Sequence, residues 1–178
     1  MIYTTHYKSP VGGILLAERG GGLIGLWIDG QKYYFGAAKD AIEEKETPIL
    51  SRAKQWLDQY FAGEKPGISE LTLDPIGGEF RQEVWRILCE IPYGETTTYG
   101  EIARKMAARM GKESMSAQAV GGAVGHNQLS IIVPCHRVVG TNGSLTGYAG
   151  GIATKVKLLR HEGVDMTGLF IPKKGTAL

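Results

Sequence analysis

The segment Pro134-Cys-His-Arg-Val138 places a thiol beside an imidazole and a guanidinium. A free cysteine thiol is mostly protonated near neutral pH, so a nucleophilic role for Cys135 requires a base or a positive charge nearby. His136 and Arg137 are the candidates. Neighbouring side chains on an extended segment point to opposite faces, so contact between Cys135 and His136 requires a turn or a bridging water. These residues alone leave open whether Cys135 is catalytic or only buried.

The residues before this motif indicate how the thiol is held. Ser130-Ile-Ile-Val133 is predicted to be a short apolar strand that ends at Pro134, because proline cannot donate a hydrogen bond to a neighbouring strand. A cysteine at such a strand end can be exposed to a cleft. The sequence therefore predicts an accessible thiol.

The other cysteine has a different setting. Cys89 lies in an amphipathic pattern that predicts a helix from about Phe80, ended by Pro92-Tyr-Gly94, and it is interpreted as a packing residue. Both thiols are predicted to be free, since a cytosolic chain of this size needs no disulfide. No Cys-x-x-Cys occurs and the four histidines are scattered, so no metal site is predicted.

The first 75 residues predict a small sheet and a helix. Apolar residues within 13–28 flank the turn Arg19-Gly-Gly-Gly22, which indicates a hairpin and not a phosphate-binding loop, because no Gly-Lys-Ser/Thr ending follows. Thr47-Pro48 predicts a helix N-terminus. The core residues of that helix recur at helical spacing: Leu50, Ala53, Trp56, Leu57, Tyr60 and Phe61. Glycine and proline between 63 and 79 indicate a domain boundary, giving domains of residues 1–75 and 76–178.

Two further short helices follow in the second domain. Thr98-Tyr-Gly-Glu101 is typical of a capping box and begins a predicted helix that ends near Arg109. After a turn near Gly111, Ser116 can cap the next helix. Two short helices joined by such a turn are typical of a helix-turn-helix, although paired helices also occur in folds that bind no DNA.

Positive charge is concentrated in the C-terminal half. From residue 101 onward there are ten Lys and Arg against four Asp and Glu, whereas residues 1–100 carry ten against fourteen. This asymmetry indicates either a basic face for a polyanionic partner or an ordinary solvated surface. No apolar run approaches the roughly 18 residues of a membrane span, and the first eight residues lack a signal-peptide pattern. The chain is predicted to be cytoplasmic, with no membrane partner.

The Pro-Cys-His-Arg-Val motif resembles the signature of the O6-alkylguanine-DNA alkyltransferases, also called methylated-DNA–protein-cysteine methyltransferases. The resemblance covers roughly residues 79–163, in order and spacing. It rests on these further motifs: Phe80-Arg-Gln-Glu-Val-Trp-Arg86, Ile91-Pro-Tyr-Gly-Glu95, Thr98-Tyr-Gly100, Ala119-Val-Gly-Gly122, Asn127, Gly147-Tyr-Ala-Gly-Gly151 and Leu158-Leu-Arg-His-Glu-Gly163. It implies an α+β fold: a small N-terminal antiparallel sheet domain that is ribonuclease H-like, and a mainly helical C-terminal domain with a helix-turn-helix and a short active-site strand.

The resemblance also implies a function. The family flips an O6-alkylated guanine out of duplex DNA, and an O4-alkylated thymine is a further possible substrate; the alkyl group passes irreversibly, once per molecule, to Cys135. Glu162 would orient His136, which would deprotonate the thiol through a water. Tyr99 would hydrogen-bond or protonate the leaving guanine, and Asn127 would be a hinge between the helix-turn-helix and the active-site strand. No cofactor is implied, and the protein is expected to act as a monomer on double-stranded DNA.

The same resemblance implies which residues form the base pocket. Tyr148 and Ala149, among glycines, match the loop that stacks on the flipped base and offers it backbone N–H groups. Val138 is expected to complete the substrate pocket.

The DNA contact shows one departure from the family. The second helix is expected to enter the minor groove with Ser116 and Ala119 at the DNA, and one side chain fills the gap that the flipped base leaves. That side chain is usually arginine, but here it is Gln118, which carries no charge and is shorter. Arg109 is expected to bind DNA and to compensate electrostatically, together with Lys105 and Lys112.

Two other functions are consistent with parts of the pattern. A non-enzymatic DNA-binding module would use the helix-turn-helix and leave Cys135 as packing, and it would bind without forming an adduct. A cysteine hydrolase using Cys135 and His136 would need an oxyanion hole and would turn over many times.

Overall fold

The N-terminal part of the chain forms a twisted sheet. The structure, a computed structural model, describes residues 1–31 and 39–173. Within these residues the sheet has the order β3-β2-β1-β4 and consists of β1 (Ile2–Ser9), β2 (Gly12–Arg19), β3 (Gly22–Ile28) and β4 (Ile42–Glu44). β2 is antiparallel to both β1 and β3, and β4 is parallel to β1. The predicted hairpin is confirmed, and its turn places Gly20 and Gly21 at φ of 59° and 92°, which suits glycine.

The helices confirm most of the sequence pattern. They are α1 (Pro48–Phe61), α2 (Glu79–Cys89), α3 (Tyr99–Arg109), α4 (Ala117–Gly125) and α5 (Ile152–His161). The side chains of Thr47, Thr98 and Ser116 each accept a hydrogen bond from a backbone N–H of the helix that follows. Glu101 pairs with Arg104 in place of closing the expected capping box. Within the described ranges, no helix is long and apolar enough to cross a membrane.

The two parts of the chain share one apolar core. The largest buried cluster includes Leu16 and Leu26 of the sheet, Leu57 of α1, Val84 of α2 and Val124 of α4. The fold is mixed α+β, as expected, with the sheet in the N-terminal part and most helices in the C-terminal part. The division at residues 75 and 76 stays a prediction.

Residues 130–133 form a turn, so the strand predicted there is wrong. Ile131 adopts a left-handed φ of 71°, and Val133 N donates to Leu129 O at 2.9 Å, which closes the turn locally. The turn lies against β3, where Leu26 exchanges backbone hydrogen bonds with Gln128 and Ser130. Burial of the apolar side chains therefore explains the run without strand pairing. The short strand of this region is β6 (Val138–Val139), which pairs in parallel with β5 (Thr97–Thr98).

Candidate active site

Cys135, His136 and Arg137 occupy a single 3-10 turn between the buried turn at 130–133 and β6. Cys135 N donates to Val133 O at 2.8 Å, and Arg137 N donates to Pro134 O at 3.0 Å. The chain therefore coils here and does not remain extended. All three side chains are buried.

The thiol of Cys135 is less accessible than the sequence predicts. The residue is only 4% exposed, so the expected open position at a strand end is wrong. The reason is the turn before it, which carries the chain inward instead of ending a strand at an edge. Burial raises the pKa of the Cys135 thiol, while a hydrogen bond from Asn127 and the charge of Lys155 oppose that rise.

Asn127 joins the end of α4 to the Cys135 turn, and its role as a hinge stays a prediction. Its Nδ2 donates to Val133 O at 2.8 Å and to Cys135 Sγ at 3.2 Å. Its Oδ1 accepts from Leu129 N at 3.0 Å. One amide thus fixes both the turn and the sulfur, and its N–H can stabilise a thiolate.

Glu162 receives several donors in the buried space behind the sulfur. It caps the C-terminus of α5, and its Oε2 lies 2.6 Å from His136 Nε2 and 2.6 Å from the hydroxyl oxygen of Tyr60. Arg137 donates through Nε to Oε1 at 2.7 Å and through Nη2 to Oε2 at 3.1 Å. Burial opposes ionisation, but His136 and Arg137 outweigh it and hold the pKa of Glu162 well below its ordinary value.

The ionised carboxylate fixes the state of His136. A carboxylate only accepts hydrogen bonds, so His136 Nε2 must carry the hydrogen that lies between them. Burial lowers the pKa of His136 despite the neighbouring Glu162, which favours the neutral ring. In that ring the lone pair is on Nδ1, and Nδ1 is buried without a hydrogen-bond partner among the described residues. His136 can therefore accept a proton at Nδ1.

Lys155 is a buried cation near the sulfur that the sequence did not single out. Its side chain is fully buried, and its Nζ donates to Val138 O and to Thr146 O. Burial lowers the pKa of Lys155 to about 8, while the nearby Cys135 acts in the opposite direction. Arg137, which the sequence offered as the positive charge for Cys135, is instead bound to Glu162. In sequence, Lys155 looks like any lysine of an amphipathic helix, so only the packing of α5 reveals it.

Tyr99 and Tyr148 are buried tyrosines close enough to Cys135 for its charge to affect their pKa values. Tyr99 donates its hydroxyl to Thr146 O at 3.0 Å, and its pKa is raised by burial and by Cys135. A side chain at Gly147 would lie 2.4 Å from the Tyr99 hydroxyl oxygen, so only glycine fits there. The ring of Tyr148 meets that of His136 edge to face, with centroids 6.5 Å apart. The two tyrosines therefore lie near the sulfur and His136, and their expected contacts with the base stay a prediction.

A cleft opens beside Tyr99. Its volume is about 530 Å³, within the range of small-ligand pockets. It is lined by Tyr99, Gly100, Ala117, Gly140, Thr141, Asn142, Ser144 and Thr146. Cys135 is not among these lining residues, so the cleft as it stands does not reach the sulfur.

The other two expected pocket residues lie nearby in different settings. Val138 is fully buried, and its carbonyl accepts from Lys155. Ala149 is half-buried in the loop after Tyr148. The loop contains Gly147 and Gly151 at φ of 81° and 92°.

The exposed face of α4 has few polar groups. Ser116, Gln118, Ala119 and Gly122 are exposed, whereas Val120 is buried against the core. A side chain at Gly122 would meet nothing within 4 Å, so the helix surface there is open and flat. Ala117, in the first turn, lines the cleft beside Tyr99. The helix expected to meet DNA thus begins at the mouth of the cleft.

Arg109 is placed differently from the expectation that it binds DNA. Its guanidinium forms ion pairs with Glu83 of α2 at 2.8 Å and with Glu90 at 2.6 Å. Two carboxylates therefore bind its guanidinium here, and its contact with DNA stays a prediction. Lys105 and Lys112 are exposed.

The chain is similar to proteins of one family along most of its length. Residues 2–75 match the family model of the 6-O-methylguanine DNA methyltransferase ribonuclease-like domain, and residues 79–164 match that of its DNA binding domain. The methylated-DNA–protein-cysteine methyltransferase of Haemophilus influenzae is 38% identical over 90% of this chain and 86% of its own. That of Methanosarcina acetivorans is 42% identical over 91% and 99%. The crystal structure of Mycobacterium tuberculosis OGT in complex with DNA superposes with a TM-score of 0.78, at 42% identity over 90% and 93% of the two chains.

Proposed function

The chain belongs to the 6-O-methylguanine DNA methyltransferase family, and on this premise we propose that it repairs O6-alkylguanine in duplex DNA by moving the alkyl group onto its own Cys135. The observation that carries the proposal is the buried set Asn127, Cys135, His136 and Glu162, in which one residue can take the proton and another can hold the sulfur. Such a set is typical of an activated nucleophile.

The first step is loss of the thiol proton. His136 accepts it at Nδ1, directly or through a water, while Glu162 holds Nε2 and stabilises the imidazolium that results. The burial that keeps the thiol neutral in the free protein is offset in this step by Asn127 N–H and the charge of Lys155. The anion therefore forms where a carbon electrophile can use it.

The second step is displacement at carbon. The sulfur lone pair forms the S–C bond, the C–O6 bond breaks, and the electron pair passes into the guanine ring. A Tyr99 hydroxyl that remains protonated can donate to the base as this charge develops. The product is a thioether, which has no easy leaving group, so the protein acts once.

The alkylated base must come into contact with a sulfur that is nearly covered in the free protein. The base is rotated out of the duplex into the cleft beside Tyr99, at a cost of a few kcal/mol in lost stacking. Since Cys135 is nearly covered, the Tyr99–Thr146 contact and the loop at 147–151 must shift before sulfur and carbon meet. The positive-φ glycines of this loop suit such a shift.

Duplex DNA is bound through α4, with Gln118 entering the gap that the rotated base leaves. The exposed small residues of this helix let the DNA approach closely. We further propose that the protein works in the cytoplasm, in contact with the chromosome, and that it folds as two domains, 1–75 and 76–178.

This function is tested by titrating the protein with a DNA duplex that contains O6-methylguanine with an isotopically labelled methyl group. We expect label to pass to the protein until one methyl group is bound per molecule, and then to stop. Cys135→Ala should bind the duplex and transfer nothing, whereas Cys89→Ala, which changes a half-buried packing thiol, should behave as the parent protein. Continued turnover would indicate a hydrolase instead, and binding without any transfer would indicate a DNA-binding module.

A further inference from the structure

A tyrosine from the N-terminal part of the chain reaches the carboxylate that acts on His136. Tyr60 lies on α1, and its hydroxyl donates to Glu162 Oε2 at 2.6 Å across 102 positions of sequence. The Tyr60 carbonyl also lies 2.8 Å from His161 Nε2, so the end of α1 is bound to two successive residues at the end of α5. We infer that Tyr60 is a positioning residue, which controls through Glu162 how strongly His136 draws the proton from Cys135.

The position of the Tyr60 hydroxyl is fixed by the packing of its ring. The residue is 1% exposed, stacked on Trp56 at a centroid distance of 5.7 Å and in edge contact with Phe61 and Tyr93 at 5.0 and 6.0 Å. Since the ring cannot turn away, its hydroxyl remains a permanent donor to the carboxylate. Burial and the charge of Glu162 both raise the pKa of Tyr60, so the donor keeps its hydrogen.

The three donors on Oε2 compete for one atom. Tyr60, His136 and Arg137 all lie within 3.1 Å of it. Each hydrogen bond to an ionised oxygen reduces the negative charge that the remaining donors feel. Without the Tyr60 hydroxyl, Glu162 would interact more strongly with His136, and the protonated imidazole would be favoured at a higher pH.

Other ionisable groups lie close to the pair formed by Glu162 and His136. They are Tyr93 from the turn after α2, Arg137 and Cys135 from the 3-10 turn, Tyr148 from the pocket loop, Lys155 from α5, and His161, whose ring lies 5.1 Å from that of Tyr60. The pKa values of Tyr93 and Tyr148 are raised, and that of Lys155 is about 8, so these three groups do not titrate on the acid side of neutrality. We assign the acid limb of the pH–rate profile to His136, and separate NMR titrations of His136 and His161 distinguish the two imidazoles.

The inference rests on the proposed methyl transfer, so the test measures transfer and the imidazole separately. Single-turnover rates of methyl transfer from an O6-methylguanine duplex would be recorded against pH for the full chain and for Tyr60→Phe. In Tyr60→Phe we expect the acid limb of the pH–rate profile to move to higher pH by about 0.5 to 1 unit. At pH values below this limb, methyl transfer should then be slower than in the parent protein by about 3- to 10-fold. Tyr7→Phe is the matched control, because it removes a hydroxyl hydrogen bond of 2.7 Å to the carboxylate of Asp58, which is also on α1 but does not reach the site.

Two further measurements keep the outcomes distinct. The His136 imidazole would be titrated by NMR in both proteins, where the same shift is expected without any DNA. Replacing Tyr60 by 3-fluorotyrosine gives a more acidic hydroxyl that donates more strongly, so the acid limb should move toward lower pH. This variant tests the role of Tyr60 if Tyr60→Phe does not fold. Acid limbs and imidazole titrations that coincide in all these proteins would overturn the inference. A parent protein that transfers no methyl group would instead refute the proposed function and leave the imidazole titration to judge Tyr60.

Discussion

The acceptor site and the exposed face of α4 are neighbours with opposite construction. Around Cys135, the side chains of His136 and Glu162 are completely buried and bound to each other at 2.6 Å. On α4, Gln118 and Ala119 lie in solvent and carry no charge. In a buried site of low polarity each hydrogen bond has a large effect, because a group left without its partner cannot turn to water. On an exposed face a single residue is expected to change affinity only slightly, so a glutamine at position 118 is compatible with the proposed wedge role.

The largest effect on stability and methyl transfer is expected for a substitution at Glu162, where the buried charges lie together. Glu162→Gln leaves the guanidinium of Arg137 without its ionic partner, so unfolding should become easier by about 3–5 kcal/mol. The loss of the carboxylate behind His136 should slow methyl transfer by about 10²- to 10⁴-fold. Chemical denaturation and single-turnover rates measure the two effects. Glu70→Gln is the control, since its exposed pair with Arg52 is worth at most about 1 kcal/mol; equal losses in both variants would remove the distinction between buried and exposed sites.

A smaller but still large effect is expected at Lys155. Lys155→Met keeps the length of the side chain but removes the Lys155 donor from the Val138 carbonyl, at about 1–3 kcal/mol, whereas the Thr146 carbonyl keeps its hydrogen bond from Tyr99. It also removes a buried cation whose charge favours the Cys135 thiolate, so methyl transfer should slow by about 10-fold or more. Lys157→Met on the exposed side of α5 provides the matched comparison. If both lysine variants transfer methyl at the parent rate, Lys155 has only a packing role.

The smallest effect is expected on α4. Gln118→Arg adds one charge where phosphates approach, so the affinity for duplex DNA should rise and the slope of log affinity against log salt should steepen by about one contact. Binding titrations at several salt concentrations measure this slope. Gln55→Arg adds the same charge on the exposed side of α1 and should leave the slope unchanged. An equal slope for both variants would mean that position 118 does not face the DNA.

The same contrast explains how far the sequence predicts the molecule. The hairpin at Arg19–Gly22 and the cap at Thr47 follow from local chemistry, and both are confirmed. The strand predicted at 130–133 is wrong, because a short apolar run is equally suited to a buried turn. Lys155 and Tyr60 could not be found in this way, since each acts on residues far along the chain and their positions depend on how α5 and α1 pack.

The assignment of Cys135 as the alkyl acceptor is tested most directly by measuring the mass of the peptide that contains it. The protein would be incubated with a duplex that contains one O6-methylguanine, digested, and the peptides holding Cys135 and Cys89 compared by mass spectrometry. We expect the Cys135 peptide to be heavier by one methylene group, the Cys89 peptide to be unchanged, and unmodified guanine to appear in the DNA in equal amount. An unmodified Cys135 peptide alongside an intact lesion, or a methyl group on Cys89, would contradict the assignment.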